Sequence, residues 1–299
     1  MKIPPYLKKG DTVVIVCTAR KFLPEDAKLA IELFASWGLK VKLGATIGLD
    51  SFQLGGTDLE RAADFQNMMD DENVKGIWCA RGGYGTVRMV DLLDFTKFKK
   101  KPKWIMGFSD VTVLHSQANA ERVASLHCIM PFTVPKASDE AKETLRKALF
   151  GEKIEYTIPS KPYDIKGKSS GELVGGNLSI LYSLLGSKSS LDTKNKILYI
   201  EDLDEYLYHI DRMMQNIKRN GYFENVKGLV VGGMTDMHDN EIPFGQNAVQ
   251  IITAIASAYN IPVCFDFPAG HMKDNRTLIL GKQVDFEVSQ EKVILRFKD

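Results

Sequence analysis

The feature that most limits what this chain can fold into is an apolar segment broken by a glycine and a serine. The segment, KWIMGFSDVTVLHS, covers residues 103–116. Its first half is apolar and β-favouring, which predicts a buried strand, and a helix-length run follows as far as about Arg122. A serine on a sharp turn between strand and helix has the layout of a nucleophile elbow, although the second glycine of G-x-S-x-G is absent. The alternative is a loop in which Ser109 and Asp110 only cap the helix.

The rest of the first half alternates between short apolar strands and helical periodicity. Strands are predicted at 12–16, 39–43 and 74–79, and helices at 25–37, 58–69 and 87–93. Such alternation is typical of a parallel sheet wound with helices on both faces, so the predicted class is α/β. Thr57 is the predicted N-cap of the helix that begins at residue 58.

A proline-containing stretch at 131–171 separates this half from a second one. We predict a connection there around one helix at 140–149, and a domain boundary between residues 155 and 170. The division gives a first domain at 1–160, which carries Ser109, and a second at 170–299. The second domain is predicted to end in β-hairpins over residues 277–297.

Composition excludes several classes of protein. A net charge of +1 and a pI near 7.6 leave no basic surface for nucleic acid or for an anionic membrane. The four cysteines are scattered without a C-x-x-C pair, so buried free thiols are expected rather than a zinc site or disulfides. No apolar run approaches the length of a membrane span, and the N-terminus lacks an apolar signal segment. We therefore expect a soluble, cytoplasmic protein.

A glycine-rich loop, Ala80 to Thr86, follows the strand predicted at 74–79. It lacks the lysine and hydroxyl residue of a P-loop, and it does not open the first strand–helix unit as a dinucleotide site would. Ligands of a doubly wound sheet bind at the carboxyl ends of strands, where this loop and Ser109 both lie. A backbone N–H of the loop is thus a candidate donor to an oxyanion; a tight turn without chemistry is the alternative.

A nucleophilic serine needs a base, and the chain has five histidines. His271 follows a strand and a Pro-Ala-Gly turn, which suits a rigid loop that presents a side chain. The other four are predicted on helices, at a buried strand end or among loop carboxylates: His115, His127, His209 and His238. His115, six positions after Ser109, is expected to face away from the elbow.

The candidates for orienting that base are carboxylates at the end of a predicted strand. Glu201 comes first after the strand, so its position is the most fixed. Three further carboxylates follow it: Asp202, Asp204 and Glu205. The last two are interpreted as a helix N-terminal cluster stabilised by the helix dipole. Ser109, Glu201 and His271 then give a serine–acid–histidine order, one of several in which triads occur.

Five segments carry a resemblance to a known family. They are ARGGYG (80–85), GFSDVT (107–112), GGNL (175–178), Ile200-Glu201-Asp202 with Tyr208, Ile210, Asp211 and Arg212, and PAGH (268–271) with Asn275. Each is weak alone, but together they span most of the chain in a shared order and rough spacing. The set resembles the serine LD-carboxypeptidases, a family of murein tetrapeptide carboxypeptidases and microcin-immunity peptidases.

The resemblance implies a flavodoxin-like N-terminal domain and a smaller β-rich C-terminal domain, with the active site between them. It implies that Ser109 is the nucleophile, Glu201 the acid and His271 the base. The backbone N–H groups of Asp110 and Gly83 are the implied oxyanion donors. It also implies an enzyme without metal or cofactor, commonly a cytoplasmic homodimer, that removes a terminal D-amino acid from recycled peptidoglycan peptides.

The resemblance says less about the substrate pocket than about the triad. A free-carboxylate substrate requires a cation, for which Arg81 and Arg212 are candidates; surface or interdomain ion pairs are the alternative. The sequence departs from the family at His127-Cys128-Ile129, where His-Gly-Pro is usual, and near Ile279, where a proline is usual. Both departures are expected to affect the pocket rather than the triad.

Two other functions remain open. One is an immunity-type peptidase that cleaves a peptidyl-nucleotide, whose nucleobase would require an exposed aromatic side chain near the site. Trp37, Trp78 and Trp104 lie instead in predicted helices or strands, which favours a murein peptide. The other is a two-domain peptide-binding protein without turnover.

Overall fold

A computed structural model describes residues 1–298, and it contains two mixed sheets flanked by helices. The elements in chain order are β1 (Thr12–Val16), α1 (Lys28–Ser36), β2 (Lys40–Leu43), α2 (Asp58–Asp70), β3 (Val74–Cys79), α3 (Thr96–Lys100), β4 (Trp104–Gly107), α4 (Thr112–Ala120), β5 (Ser125–His127), α5 (Asp139–Phe150), β6 (Glu155–Pro159), β7 (Gly167–Asn177), α6 (Leu178–Ser183), β8 (Lys196–Leu203), α7 (Leu207–Arg219), β9 (Gly228–Thr235), α8 (Ala248–Ala256), β10 (Val263–Cys264), β11 (Leu278–Leu280), β12 (Gln283–Val288) and β13 (Lys292–Phe297).

The first sheet has the strand order β11-β5-β4-β3-β1-β2 and is parallel except for β11. Its central strands are apolar at nearly every position because both faces are covered. On one face Phe34 of α1 stacks on Trp78 with ring centroids 4.1 Å apart. On the other face Phe65 of α2 packs with Val14 and Ile77. The predicted α/β class with a doubly wound sheet is confirmed.

The second sheet has the order β10-β9-β8-β7-β12-β13-β6. Strands β7 to β10 run parallel, and the other pairs are antiparallel. Helix α7 buries one side against the sheet through Ile210, Met213 and Ile217. The parallel part matters for function because the carboxyl end of β8 carries Glu201.

Residues 87–93 do not form the predicted helix but two short 3-10 turns, Thr86–Arg88 and Val90–Leu92. Gly85 precedes them with φ of +141°, a backbone conformation outside the helical region. The Thr86 N–H donates to the carboxylate of Asp110 at 2.8 Å. The conformation of this segment therefore depends on a hydrogen bond to a distant residue, which the periodicity of the local sequence does not reveal.

Two strands of the structure were not expected where they lie. Residues 155–159, predicted to belong to a connection, form β6 at the edge of the second sheet. Residues 278–280, predicted to belong to a hairpin, form β11 and pair antiparallel with β5 of the first sheet. Only β12 and β13 form the predicted hairpin. Short edge strands depend on pairing with distant segments more than on their own sequence. The domain division between residues 160 and 170 remains a proposal, and these two strands cross it.

Two smaller predictions are confirmed. All four cysteines are buried free thiols. Thr57 caps α2 in a capping box, in which Glu60 N–H donates to Thr57 Oγ1 at 3.2 Å and Thr57 N–H donates to Glu60 Oε2 at 2.7 Å. Within residues 1–298, no helix is both long enough and apolar enough to cross a membrane.

Two glycines at the end of β7 allow close packing, Gly175 against β8 of the same sheet and Gly176 against the first domain. A Cβ on Gly175 would lie 1.8 Å from the Tyr199 carbonyl oxygen, and one on Gly176 would lie 2.5 Å from Thr112 Oγ1. Thr112 belongs to α4, and its Oγ1 accepts a hydrogen bond from the Asn177 N–H at 3.0 Å. The helix behind Ser109 is thereby tied directly to the second sheet.

We predict that Gly175→Ala lowers the free energy of unfolding by at least about 3 kcal/mol, because its Cβ would meet backbone atoms that cannot turn aside. Gly186→Ala is the matched control, since Gly186 also has positive φ (+77°) but a Cβ there would have no heavy atom within 4 Å. Backbone strain alone should cost the control about 1–2 kcal/mol. Urea unfolding compares the two variants, and equal losses would contradict the packing argument.

Candidate active site

Ser109 stands at the turn between β4 and α4, at the carboxyl end of the first sheet. Its backbone φ is +63°, in the left-handed region that side chains other than glycine seldom adopt. Strain of this kind at a strand–helix turn often marks a functional residue. The chain continues through one 3-10 turn, Ser109–Val111, into α4. The strand–turn–helix layout expected from the sequence is therefore present.

The turn is held from behind by buried groups that converge on the Gly107 carbonyl oxygen. His115 Nε2 lies 2.9 Å from that oxygen, and the Cys128 N–H donates to it at 3.0 Å. His115 Nδ1 lies 2.8 Å from Ser125 Oγ. Burial lowers the pKa of His115 to about 4, so the ring is neutral at pH 7 and supports the backbone.

Three predicted residues lie in one hydrogen-bonded chain. His271 Nε2 is 3.0 Å from Ser109 Oγ, and His271 Nδ1 is 2.7 Å from Glu201 Oε2. With its Nδ1–H donated to the carboxylate, the neutral imidazole directs the Nε2 lone pair at the serine hydroxyl. The serine comes from the end of β4, the glutamate from the end of β8 and the histidine from the loop after β10.

The loop that carries His271 is shaped around Glu201. Gly270 has φ of +111°, and a Cβ there would lie 2.7 Å from Glu201 Oε2. The Gly270 N–H donates to Asn275 Oδ1 at 2.8 Å, and the His271 N–H donates to Glu201 Oε2 at 3.3 Å. Glu201 is fully buried, and within residues 1–298 its Oε1 has no hydrogen-bond partner. The glycine and Asn275 of the family pattern therefore position the acid and the base.

The charges around His271 favour its protonated form. Burial alone would lower the pKa of His271, but the charge and hydrogen bond of Glu201, followed by the charge of Asp202, outweigh it and raise the pKa. Asp202 is itself buried, and burial together with the neighbouring Glu201 raises its pKa to about 7. A register shift between β8 and β9 at Ile200 and Asp202 interrupts the strand where both carboxylates occur.

The glycine-rich loop lies against Ser109. A Cβ on Gly82 would be 3.0 Å from Ser109 Oγ and 3.4 Å from the Asp110 nitrogen. Across residues 1–298, neither the Gly83 N–H nor the Asp110 N–H donates to a protein acceptor. Gly83 and Asp110 line the same cavity as Ser109, so both stay candidate donors.

Two buried ionisable side chains fix this loop. Arg61 of α2 donates to the Gly85 carbonyl at 2.8 Å and to the Thr18 carbonyl. The carboxylate of Asp110, which accepts the Thr86 N–H, is also buried, and burial raises its pKa. Arg61 also pairs with Asp58 on its own helix, but the contacts that fix the loop are to backbone groups far away in the sequence, and no local signal identifies them.

A cavity of about 480 Å³ opens over Ser109 and His271. Arg20 and Arg81 lie on the wall formed by the first domain, and the guanidinium of Arg81 sits 4.0 Å over the Phe132 ring. Burial and then the charge of Arg20 lower the pKa of Arg81. Carboxyl groups from the end of β8 and the residues after it also line the cavity: Asp202, Asp204 and Glu205. The lining therefore combines guanidinium and carboxyl groups.

One predicted cation is not at this cavity. Arg212 lies on the exposed side of α7, 5.2 Å from the centre of the Tyr208 ring, and is absent from the cavity lining. Arg20 takes the place next to Arg81 instead. It belongs to the loop after β1, and the parallel pairing of β1 with β3 brings the two loops together. A search for arginines at strand carboxyl ends would have found it.

The two departures from the family pattern lie mostly away from the cavity. Cys128 is buried behind the turn of Ser109, and Ile279 pairs with Leu126 and lines a separate cavity beside Tyr6. Only Ile129 reaches a groove that adjoins His271. The expectation that both departures shape the pocket is wrong for Ile279. Among residues 1–298, no group of three His, Cys, Asp or Glu side chains is arranged to hold a metal ion.

Known proteins share this sequence pattern over nearly the whole chain. The profile described as the LD-carboxypeptidase N-terminal domain matches residues 13–128, and the profile of the LD-carboxypeptidase C-terminal domain matches residues 170–286. A probable murein peptide carboxypeptidase of Bacillus subtilis (strain 168) is 33% identical over 302 residues, which cover 98% of this chain and 93% of the relative.

Two further relatives extend the comparison. The crystal structure of a muramoyltetrapeptide carboxypeptidase from Oxalobacter formigenes matches with a TM-score of 0.88 and 26% identity, covering 96% of this chain and 99% of that chain. The microcin C7 self-immunity protein of Escherichia coli is 25% identical over 295 residues, which cover 86% of this chain and 84% of the relative.

We predict that a fluorophosphonate labels the protein at Ser109. Ser109→Ala should abolish labelling, whereas Ser179→Ala, which removes another hydroxyl from the same cavity, should retain it. Because His271 must be neutral to accept the proton, the rate should fall as pH drops through the raised pKa of His271. Glu201→Gln should move that fall to lower pH, since it removes the raising charge. Mass spectrometry measures the label, and a pH-independent rate would contradict the role of His271.

Proposed function

The chain belongs to the LD-carboxypeptidase family, and we propose that it removes a terminal D-alanine from murein tetrapeptides through a serine acyl-enzyme. The observation that carries the proposal is the hydrogen-bonded chain from Ser109 through His271 to Glu201 within a cavity that has two arginines. The names of the Bacillus and Oxalobacter relatives, which concern murein peptides and muramoyltetrapeptide, support this substrate class.

In the proposed first step, Ser109 Oγ attacks the carbonyl carbon that precedes the D-alanine. His271 Nε2 accepts the hydroxyl proton and then gives it to the departing amine. Glu201 keeps the imidazole in the required tautomer and stabilises the imidazolium that forms. Glu201 is buried, and within the part of the chain that the structure describes its carboxylate hydrogen-bonds only to His271. Its charge therefore acts on the ring with little screening by water.

The developing oxyanion is assigned to the backbone N–H groups of Asp110 and Gly83. Asp110 follows Ser109 in the chain and Gly83 lines the same cavity, and neither N–H has a protein acceptor within residues 1–298. The start of α4 adds the positive end of a helix dipole. Loss of one such donor typically costs about a hundredfold to a thousandfold in turnover. In the second step His271 activates a water that hydrolyses the acyl-enzyme.

The terminal carboxylate of the substrate is assigned to Arg81 and Arg20. The two guanidinium groups repel each other across the cavity wall, and the pKa of Arg81 is lowered by burial and then by the charge of Arg20. A bound carboxylate would relieve that repulsion, which favours a substrate with a free C-terminus. The family resemblance further implies peptidoglycan recycling in the cytoplasm by a homodimer, and both remain part of the proposal.

A second candidate is cleavage of a peptidyl-nucleotide, which the microcin C7 self-immunity relative makes relevant. Trp78 and Trp104 are buried and cannot stack on a nucleobase, whereas Tyr206, which follows the cavity residue Glu205, is exposed. A peptide-binding protein without turnover is the third candidate. Measurements of product release and of peptide binding together separate the three candidates.

We predict that the protein releases D-alanine from L-Ala-D-Glu-diaminopimelate-D-Ala, and that Ser109→Ala lowers the rate by at least about a thousandfold. A coupled D-amino acid oxidase assay measures the product, and calorimetry with the Ser109→Ala variant measures peptide binding. Equal release by both proteins would contradict the assigned nucleophile. Binding without release would reject the murein peptidase, and turnover of a peptidyl-nucleotide would then select the second candidate over the third.

A further inference from the structure

The hydrogen-bonded chain at Ser109 is completed by residues of both sheets. Ser109 lies three residues before α4, which packs on the first sheet, whereas Glu201 and His271 follow strands of the second sheet. The distance of 3.0 Å between Ser109 Oγ and His271 Nε2 therefore depends on how α4 is placed against the second sheet. Contacts between this helix and that sheet control the geometry of the site.

A buried polar cluster joins the far end of α4 to the second sheet. Asn119 Nδ2 donates to Glu172 Oε1 at 3.1 Å, and Lys196 Nζ donates to Asn119 Oδ1 at 3.3 Å. Lys196 Nζ also lies 3.6 Å from Glu172 Oε1, so the three side chains form a closed triangle. All three are more than nine-tenths buried. Because an amide donates through nitrogen and accepts through oxygen, one orientation of Asn119 serves both charged partners.

The two charged members of the cluster belong to the strands that lead to the site. Glu172 of β7 lies opposite Lys196, the first residue of β8, in the parallel register. Five residues further along the two strands, Asn177 lies opposite Glu201. The Asn177 N–H donates to Thr112 at the near end of α4. The same pair of strands therefore holds α4 at both of its ends.

Two attachments fix the direction of a helix, whereas one leaves it able to pivot. Thr112 and Asn119 are seven residues apart, which is two helical turns or about 10 Å. Within residues 1–298 they are the α4 residues whose side chains hydrogen-bond to β7 or β8. Gln117 accepts the Ser189 hydroxyl at 2.7 Å, but Ser189 belongs to the loop between α6 and β8. Apolar packing tolerates small shifts, and charged hydrogen bonds fix one geometry.

Resting on the proposed function, we propose that Asn119, Glu172 and Lys196 are positioning residues that keep Ser109 within reach of His271. Their role is orientation rather than net stability, since a buried ion pair can often be replaced by apolar groups of similar volume without loss of stability. A reacting group that is misplaced by about 1 Å can cost about a hundredfold in rate. Loosening the far end of α4 should therefore lower kcat more than it weakens substrate binding.

Asn119→Leu tests the connection because it removes both hydrogen bonds and leaves the Glu172–Lys196 pair inside the second sheet. For the murein tetrapeptide, kcat should fall at least about tenfold and KM should change by less than about twofold. The pH at which the rate falls should not move, because the contact between His271 and Glu201 lies outside the cluster. A change in the local environment of the imidazole would move that pH.

The double variant Glu172→Met/Lys196→Met removes both charges together, so no lone buried charge remains. It should show the same loss of kcat, with a melting temperature within about 5 °C of the native value. Lys168→Met/Glu287→Met is the matched control. It removes an ion pair of the same two residue types, 2.8 Å apart and partly exposed, that joins β7 to β12, and it should keep the native kcat.

A kcat within about twofold of native in both Asn119→Leu and Glu172→Met/Lys196→Met, or an equal loss in the control, would overturn the proposal. The rate of fluorophosphonate labelling at Ser109 requires the same contact with His271 but no peptide. If the native protein cleaves no tetrapeptide, the proposed function fails, but labelling that is about tenfold slower in Asn119→Leu still supports the positioning role. Equal labelling rates, or a native protein that is not labelled, would reject it.

Discussion

The hydrogen bond between His271 Nδ1 and Glu201 Oε2 is the interaction on which the site depends. A buried carboxylate is unfavourable unless it is paired, and Glu201 has partners on only one of its oxygens within the described chain. Gly270 has no side chain to block the approach of the His271 loop to Glu201, and Asn275 holds that loop by accepting the Gly270 N–H. His271 then reaches Ser109, so a contact inside the second domain sets the geometry at the turn of the first.

Hydrogen bonds from two other buried side chains hold the loops near Ser109 that do not carry His271. Arg61 and the Asp110 carboxylate are buried and hydrogen-bond to backbone groups of the loops after β1 and β3. Each ion thereby restrains chain segments that have no regular structure of their own, and the Gly82 backbone is kept against the serine. Rigid support of this kind is what an oxyanion site requires, since its donors must be in place before charge develops.

The α/β class could be predicted from the alternation of apolar strands and helical segments. The sequence also pointed to Ser109, Glu201 and His271, which the structure brings into one hydrogen-bonded chain and whose catalytic roles stay predictions. Sequence-based prediction failed where strands or loops pair with segments far away in the chain, because the local sequence carries little signal of that pairing. The edge strand Leu278–Leu280 crosses to the first sheet, and Arg20 meets Arg81 only after β1 and β3 pair. Arg212 was chosen from a helical motif, and the structure places it over the Tyr208 ring and outside the cavity lining.

The hydrogen-bonded chain of Ser109, His271 and Glu201 and the charged groups that line the cavity differ in how the fold holds them. Ser109, Glu201 and His271 sit at strand ends or on a loop closed by buried hydrogen bonds, whereas Arg20 and Asp204 are exposed loop residues. Loop residues can change charge without disturbing the sheets, because few core contacts depend on them. A family with one catalytic geometry can therefore select different substrates by changing the loops.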